Sequence, residues 1–192
     1  MARPMRRVGL TASSTGVAGL SPRQPILRFM PPSAVYAAED QWSALMDRGG
    51  TVDFFGSRID LPTQRRFGDI GSIRQYVDAV LALGPVVDQV PDAGPVAVRE
   101  RSGQTRAHYE PGTCTIAIPV RTMWAARESV ILHEIAHHLA CGAMRAGSRR
   151  AWHGPDFRRT LCALVEAVMG EQAALVLRAG YEAAGLRTVT SG

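Results

Sequence analysis

His133-Glu134-Ile135-Ala136-His137 is the stretch from which the rest of the chain is read. Two histidines four residues apart leave a helix on one face, one turn apart and roughly 6 Å along the axis. That spacing lets both imidazoles reach a single ion, and H-E-x-x-H on a helix is a zinc-hydrolase pattern. Glu134 falls beside the ion and not on it, where a carboxylate can deprotonate water.

Outward from the motif, periodicity predicts a helix from about Ala125 to Cys141, with Val130, Ile131, Ile135 and Leu139 toward the core and Gly142 ending it. Before it, Val96–Arg101, Arg106–Tyr109 and Thr113–Ile118 read as strands of a small antiparallel sheet, the first two joined by Ser102-Gly103. Alternation in Thr113–Ile118 suggests one covered face. As an edge beside the motif helix, this strand could align an extended peptide by strand addition. After the motif, Arg145–Arg150 forms a short basic loop. A helix from Pro155 to Met169 follows, proline suiting its first turn, and Glu171–Ala184 makes a last helix. Toward the N-terminus, Ser33 caps a helix reaching Arg48, Thr51–Leu61 folds as a hairpin about Gly56-Ser57, and Ser72 caps a helix that Gly84-Pro85 stops. A connection rich in Pro and Gly runs on through Pro95. The fold class is α+β.

The bulk properties fit one domain of 192 residues with 46% hydrophobic content. The formal charge is +5, and residues 1–30 carry Arg3, Arg6, Arg7, Arg23 and Arg28 with no acid. Residues 1–32 therefore read as a disordered basic leader, 33–186 as the domain and 187–192 as a tail. All 22 basic residues are arginine, read as compositional bias. Cys114, Cys141 and Cys162 are too few and too scattered for a disulfide framework, which fits a reducing compartment. The leader lacks the hydrophobic centre of a signal peptide, and no apolar run is long enough to span a bilayer, so the expected location is cytoplasmic.

A hydrolytic zinc needs three protein ligands and an open position for water. His133 and His137 supply two. Outside the motif helix stand only His108 and His153. His153, at the start of a helix and followed by Gly154, is the favoured third ligand. Glu166 is an alternative set well into the next helix. His108 reads as structural. His138 is rotated about 100° from His137 and is free to pack or bond a carboxylate. Cys141 extends the stripe, but its Cα lies about 12 Å from that of His133, too far to share an ion. Asp156 either orients an imidazole or caps the helix start. Glu134 is the general base. Tyr109, Tyr181, Arg149, Arg150, Arg158 and Arg159 are the candidate donors to a developing oxyanion, and the sequence does not choose among them.

HEIAHH at 133–138 followed by WHGPDF at 152–157 resembles SprT-like zincin metallopeptidases. That resemblance implies a zincin-like core, His133, His137 and His153 on Zn2+, Glu134 as acid/base, Phe157 as a packing aromatic, and a protein or peptide substrate. The chain is also similar, over about 33–186, to small actinobacterial and phage proteins known by an HExxH motif and a metallohydrolase likeness; VYAAEDQW, TVDFFGSRIDLP, RRFGDI and HYEPGTCTIAIP carry that likeness. The cysteine zinc ribbon of many SprT-like proteins is absent, so a DNA-repair role does not transfer. Ala143 stands where metzincins and compact three-histidine ribonucleases have a third histidine. The alternative expectation is a non-catalytic, zinc-stabilised domain that binds protein or nucleic acid through its arginines.

Overall fold

A computed structural model describes residues 32–103, 106–122, 124–144 and 152–188. The expected leader as far as residue 31, the basic loop with Arg149 and Arg150, and most of the tail lie outside the described residues; Pro32, expected as the leader's last residue, opens the first helix. Among these residues the fold is mixed α+β, with six helices and two small sheets.

Helix α1 (Pro32–Arg48) buries Val35, Ala38, Trp42 and Met46, positions that recur on one helical face. The Trp42 indole donates to the Ala173 carbonyl at 3.0 Å, tying α1 to the last helix. Gly49 leaves α1 at φ +58, and a β-carbon there would meet the Thr63 hydroxyl at 2.4 Å, so both the turn and the close approach require glycine. Strands β1 (Gly50–Phe54) and β2 (Ser57–Leu61) form the expected antiparallel hairpin. Helix α2 (Ile70–Leu81) is capped by the Asp69 carboxylate, which accepts from Ser72 N–H at 2.8 Å; Ser72 lies inside the helix and is not its cap. A short helix, α3 (Gly84–Gln89), occupies part of the expected Pro/Gly connection, with Pro85 in its first turn and Val86 buried.

The second sheet differs from the all-antiparallel expectation. Its strands β3 (Ala97–Glu100), β4 (His108–Glu110) and β5 (Thr115–Ile118) lie in the order β3-β5-β4. β5 pairs parallel with β3 and antiparallel with β4. It is the centre of the sheet, so its backbone groups are spent on both neighbours and are not open for strand addition. All four of its residues are buried, which corrects the expected single covered face.

Helix α4 (Glu128–Met144) carries the motif through the middle of the molecule. Nearly every position from Glu128 to Leu139 is buried, as a helix enclosed on all sides demands. Its exposed-looking first turn is satisfied internally. Gln64 Oε1 accepts from Ser129 N–H, and its amide donates to Ser43 and Asp47. Buried Glu128 accepts from the Tyr76 hydroxyl at 2.7 Å and from Arg65 N–H at 2.8 Å. Helices α5 (Pro155–Met169) and α6 (Glu171–Ala183) complete the fold, α5 against α4 and α6 against α1 and α5. No helix among the described residues is long and apolar enough to cross a membrane.

Candidate metal centre

His133 and His137 leave α4 on one face, and the turn before α5 brings His153 to the same point. The three Nε2 atoms stand 3.1, 3.1 and 3.2 Å from one another. They are the metal-competent cluster found among the described residues. The expected set is thus brought together, and Glu166 is not part of it: it pairs with Arg178 on the exposed side.

A triangle of ring nitrogens at this spacing cannot be three hydrogen bonds, because an imidazole nitrogen either donates or accepts and cannot do both at once. The donor set suits a cation. A tetrahedral ion bound at about 2.0–2.1 Å needs nitrogens roughly 3.3 Å apart, close to what is found. His133 is held for this by a carboxylate that the sequence reading did not single out. Glu39 Oε2 lies 2.6 Å from His133 Nδ1, which fixes the ring with Nδ1–H outward and the Nε2 lone pair inward. Glu39 is held in turn by the buried Tyr181 hydroxyl at 2.5 Å. Burial works against a charged His133, but the Glu39 carboxylate outweighs it and raises the ring above the ordinary histidine range. Burial, then the neighbouring rings, push His137 down to about 2; burial and His133 bring His153 to about 4. His137 and His153 are therefore neutral, whereas an ion would have to displace a proton from His133.

Phe157 backs the cluster, its ring centroid 4.9, 4.3 and 4.9 Å from those of His133, His137 and His153. Arg158 donates to the His153 carbonyl at 2.6 Å and to the Arg187 carbonyl, locking the ligand turn onto the C-terminal segment. Glu134 is 5% exposed beside the cluster. Burial pushes its carboxyl up to about 7, against the pull of His133 and of the Tyr109 N–H that it accepts. On the other side, Tyr36 stacks on His133 at 5.6 Å and meets His153 edge-on at 5.0 Å. A cavity of about 310 Å³ opens from His133 and Glu134 between Tyr36, Arg106 and Trp124.

The remaining sequence candidates have other work. His138 Nε2–H donates to the Gly94 carbonyl, and its Nδ1 accepts from the Tyr109 hydroxyl, both at 3.1 Å. His108 bridges Glu110 and Arg101 on the sheet surface. Asp156 pairs with Arg159. Gly154, not Asp156, is the N-cap of α5. Cys162 is inert, its thiol pushed up to about 12 by burial. Tyr36, Glu39 and Arg106 come from 27 or more residues before the motif, and no local spacing signals them. Compared with known proteins, the chain matches no family model, no curated sequence and no solved structure.

Proposed function

We propose that this protein is a zinc-dependent hydrolase with a zincin-like core, most simply a metallopeptidase. The observation that carries the reading is the triangle of inward-facing Nε2 atoms with a buried carboxylate, Glu134, beside it. His133, His137 and His153 would hold the ion. A zinc there would supply a Lewis acid that acidifies water and polarises a carbonyl.

The chain's own residues do the rest. Glu134 takes a proton from the attacking water as the carbon–oxygen bond forms. It releases that proton to the amine nitrogen as the carbon–nitrogen bond breaks, leaving a carboxylic acid and an amine. A buried carboxyl beside the cluster is placed to serve both halves of this transfer. Glu39 and Tyr181 orient the first ligand, Arg158 the third, and Phe157 keeps water from their backs. A purely structural zinc site would have four protein ligands and no adjoining cavity. Three metal-competent histidines, with a cavity of about 310 Å³ opening at His133 and Glu134, favour catalysis.

Arg158 and Arg159, the described arginines just after His153 in sequence, do not offer a surface for nucleic acid. Arg158 is buried on backbone carbonyls, and Arg159 is paired with Asp156.

The test is Glu134→Gln against wild type, both zinc-loaded, with zinc content by elemental analysis and hydrolysis of fluorescein-labelled casein. The reading expects one zinc per chain in both and a loss of at least about a hundredfold in rate for the variant. Substoichiometric zinc in wild type, or undiminished hydrolysis by the variant, would refute it.

A further inference from the structure

An amide carbonyl under attack gathers negative charge on its oxygen, and a site that hydrolyses it needs a donor aimed at that oxygen. Most of the candidates that sequence alone offers are committed elsewhere. The Tyr109 hydroxyl serves His138, Tyr181 serves Glu39, Arg158 serves two backbone carbonyls and Arg159 pairs with Asp156.

The cavity wall supplies another. Tyr36 and Arg106 line the same cavity as His133 and Glu134, over a floor that includes Trp42 and Leu161. Tyr36 lies against two of the three metal-competent rings, 5.6 Å from His133 and 5.0 Å from His153, on the side where the cavity opens. The Arg106 guanidinium stands over the Tyr36 ring, 4.1 Å from its centroid. Among the described residues no carboxylate pairs with Arg106. The cation fixes the ring in place, and Arg106 also hydrogen-bonds the phenol. Burial raises the phenol's pKa and this contact with Arg106 opposes that rise, so the hydroxyl keeps its proton and can donate it to a hydrogen bond.

We infer that the Tyr36 hydroxyl is the oxyanion donor of this site and that Arg106 is its positioning residue. The inference rests on the hydrolase reading above and adds to it the group that meets the substrate oxygen. As water's oxygen bonds to the carbonyl carbon, the π pair moves onto the carbonyl oxygen, and Glu134 takes the water proton. Tyr36 donates a hydrogen bond to that oxygen and transfers no proton. When the carbon–nitrogen bond breaks, the pair returns to re-form the carbonyl, and the proton on Glu134 leaves with the amine. The substrate class is accordingly one with a planar amide carbonyl that becomes tetrahedral. The arrangement also accounts for a tyrosine being one turn before Glu39 on α1: the same turn of helix orients a ligand and faces the reacting oxygen.

The experiment uses the full zinc-loaded chain as wild type, Tyr36→Phe, Arg106→Gln and Glu134→Gln. Acetohydroxamate, whose oxygens mimic the charged adduct, is titrated by calorimetry, and casein hydrolysis is resolved into kcat and KM. Tyr36→Phe keeps the ring and its stacking, so zinc content and melting temperature should match wild type. The inference expects acetohydroxamate to bind about tenfold more weakly and kcat to fall about a hundredfold with KM within twofold. Arg106→Gln, at an exposed position, should shift both in the same direction by about fivefold. Unchanged hydroxamate affinity in Tyr36→Phe overturns the inference whether or not casein is a good substrate. Wild type without zinc, or Glu134→Gln with full activity, instead removes the hydrolase reading and this inference with it.

Discussion

Glu39 orients the His133 ring through one hydrogen bond of 2.6 Å inside the protein. Replacing it by glutamine keeps an acceptor but removes the charge. Zinc affinity, measured by competition with a chromophoric chelator, should fall about 10- to 100-fold in Glu39→Gln; wild-type affinity would show that the carboxylate is a bystander. Glu134 makes a second prediction, for the metal-free protein. Its carboxyl rises from the usual 4.5 to about 7 because it is buried. A folded value above the unfolded one means that folding takes up a proton. The group's contribution is therefore full below about pH 4.5 and is lost as pH rises through about 7. At pH 8 the buried carboxylate costs about 3 kcal/mol, which Glu134→Gln removes. The metal-free variant should then melt above metal-free wild type at pH 8, with the gap closing below pH 4.5. Equal melting at pH 8 would contradict this. His133, Glu134 and His137 could be picked out from sequence because they share one helix, and His153 because the chain has few other histidines. Glu39 could not, since 94 residues separate it from His133 and only tertiary packing joins them.

Helix α4 owes its position to polar anchors at its first turn as much as to its apolar sides. Glu128 satisfies the Tyr76 hydroxyl and Arg65 N–H at once, and Gln64 satisfies Ser129 N–H. Glu128→Ala leaves a buried hydroxyl and an N–H without a partner. It should cost about 2–4 kcal/mol, read as a lowered denaturant midpoint. A change under about 0.5 kcal/mol would mean that apolar packing alone holds the helix. Helices with strong amphipathic signals and clear breakers were legible to within a residue or a few: α5 spans the expected Pro155–Met169. The short α3 was not, because Gly84-Pro85 signals a stop and a start equally well. Sheet order was not legible either. Ser102-Gly103 suggested a hairpin, but strand pairing depends on which faces are buried, and β5, covered on both, took the centre.

At the scale of the whole molecule, the candidate centre joins parts of the chain far apart in sequence. Two ligands come from α4 and one from the turn before α5, with the supporting Glu39 on α1 and Tyr181 on α6. An ion there would tie α4 to the turn before α5 directly and to α1 and α6 through Glu39 and Tyr181, so metal should stabilise the entire fold. Zinc at about a thousand times its dissociation constant adds roughly 4 kcal/mol, seen as a higher melting temperature that a chelator reverses. The same connectivity explains why the histidine pair was legible before its surroundings: the spacing of His133 and His137 is local, whereas the support is distributed. The most direct test is a crystal of the zinc-loaded protein with anomalous scattering measured on both sides of the zinc edge. The account predicts one peak per chain, about 2.0–2.1 Å from Nε2 of His133, His137 and His153. A peak elsewhere, or none, with the His153 ring turned away from the other two, would contradict it.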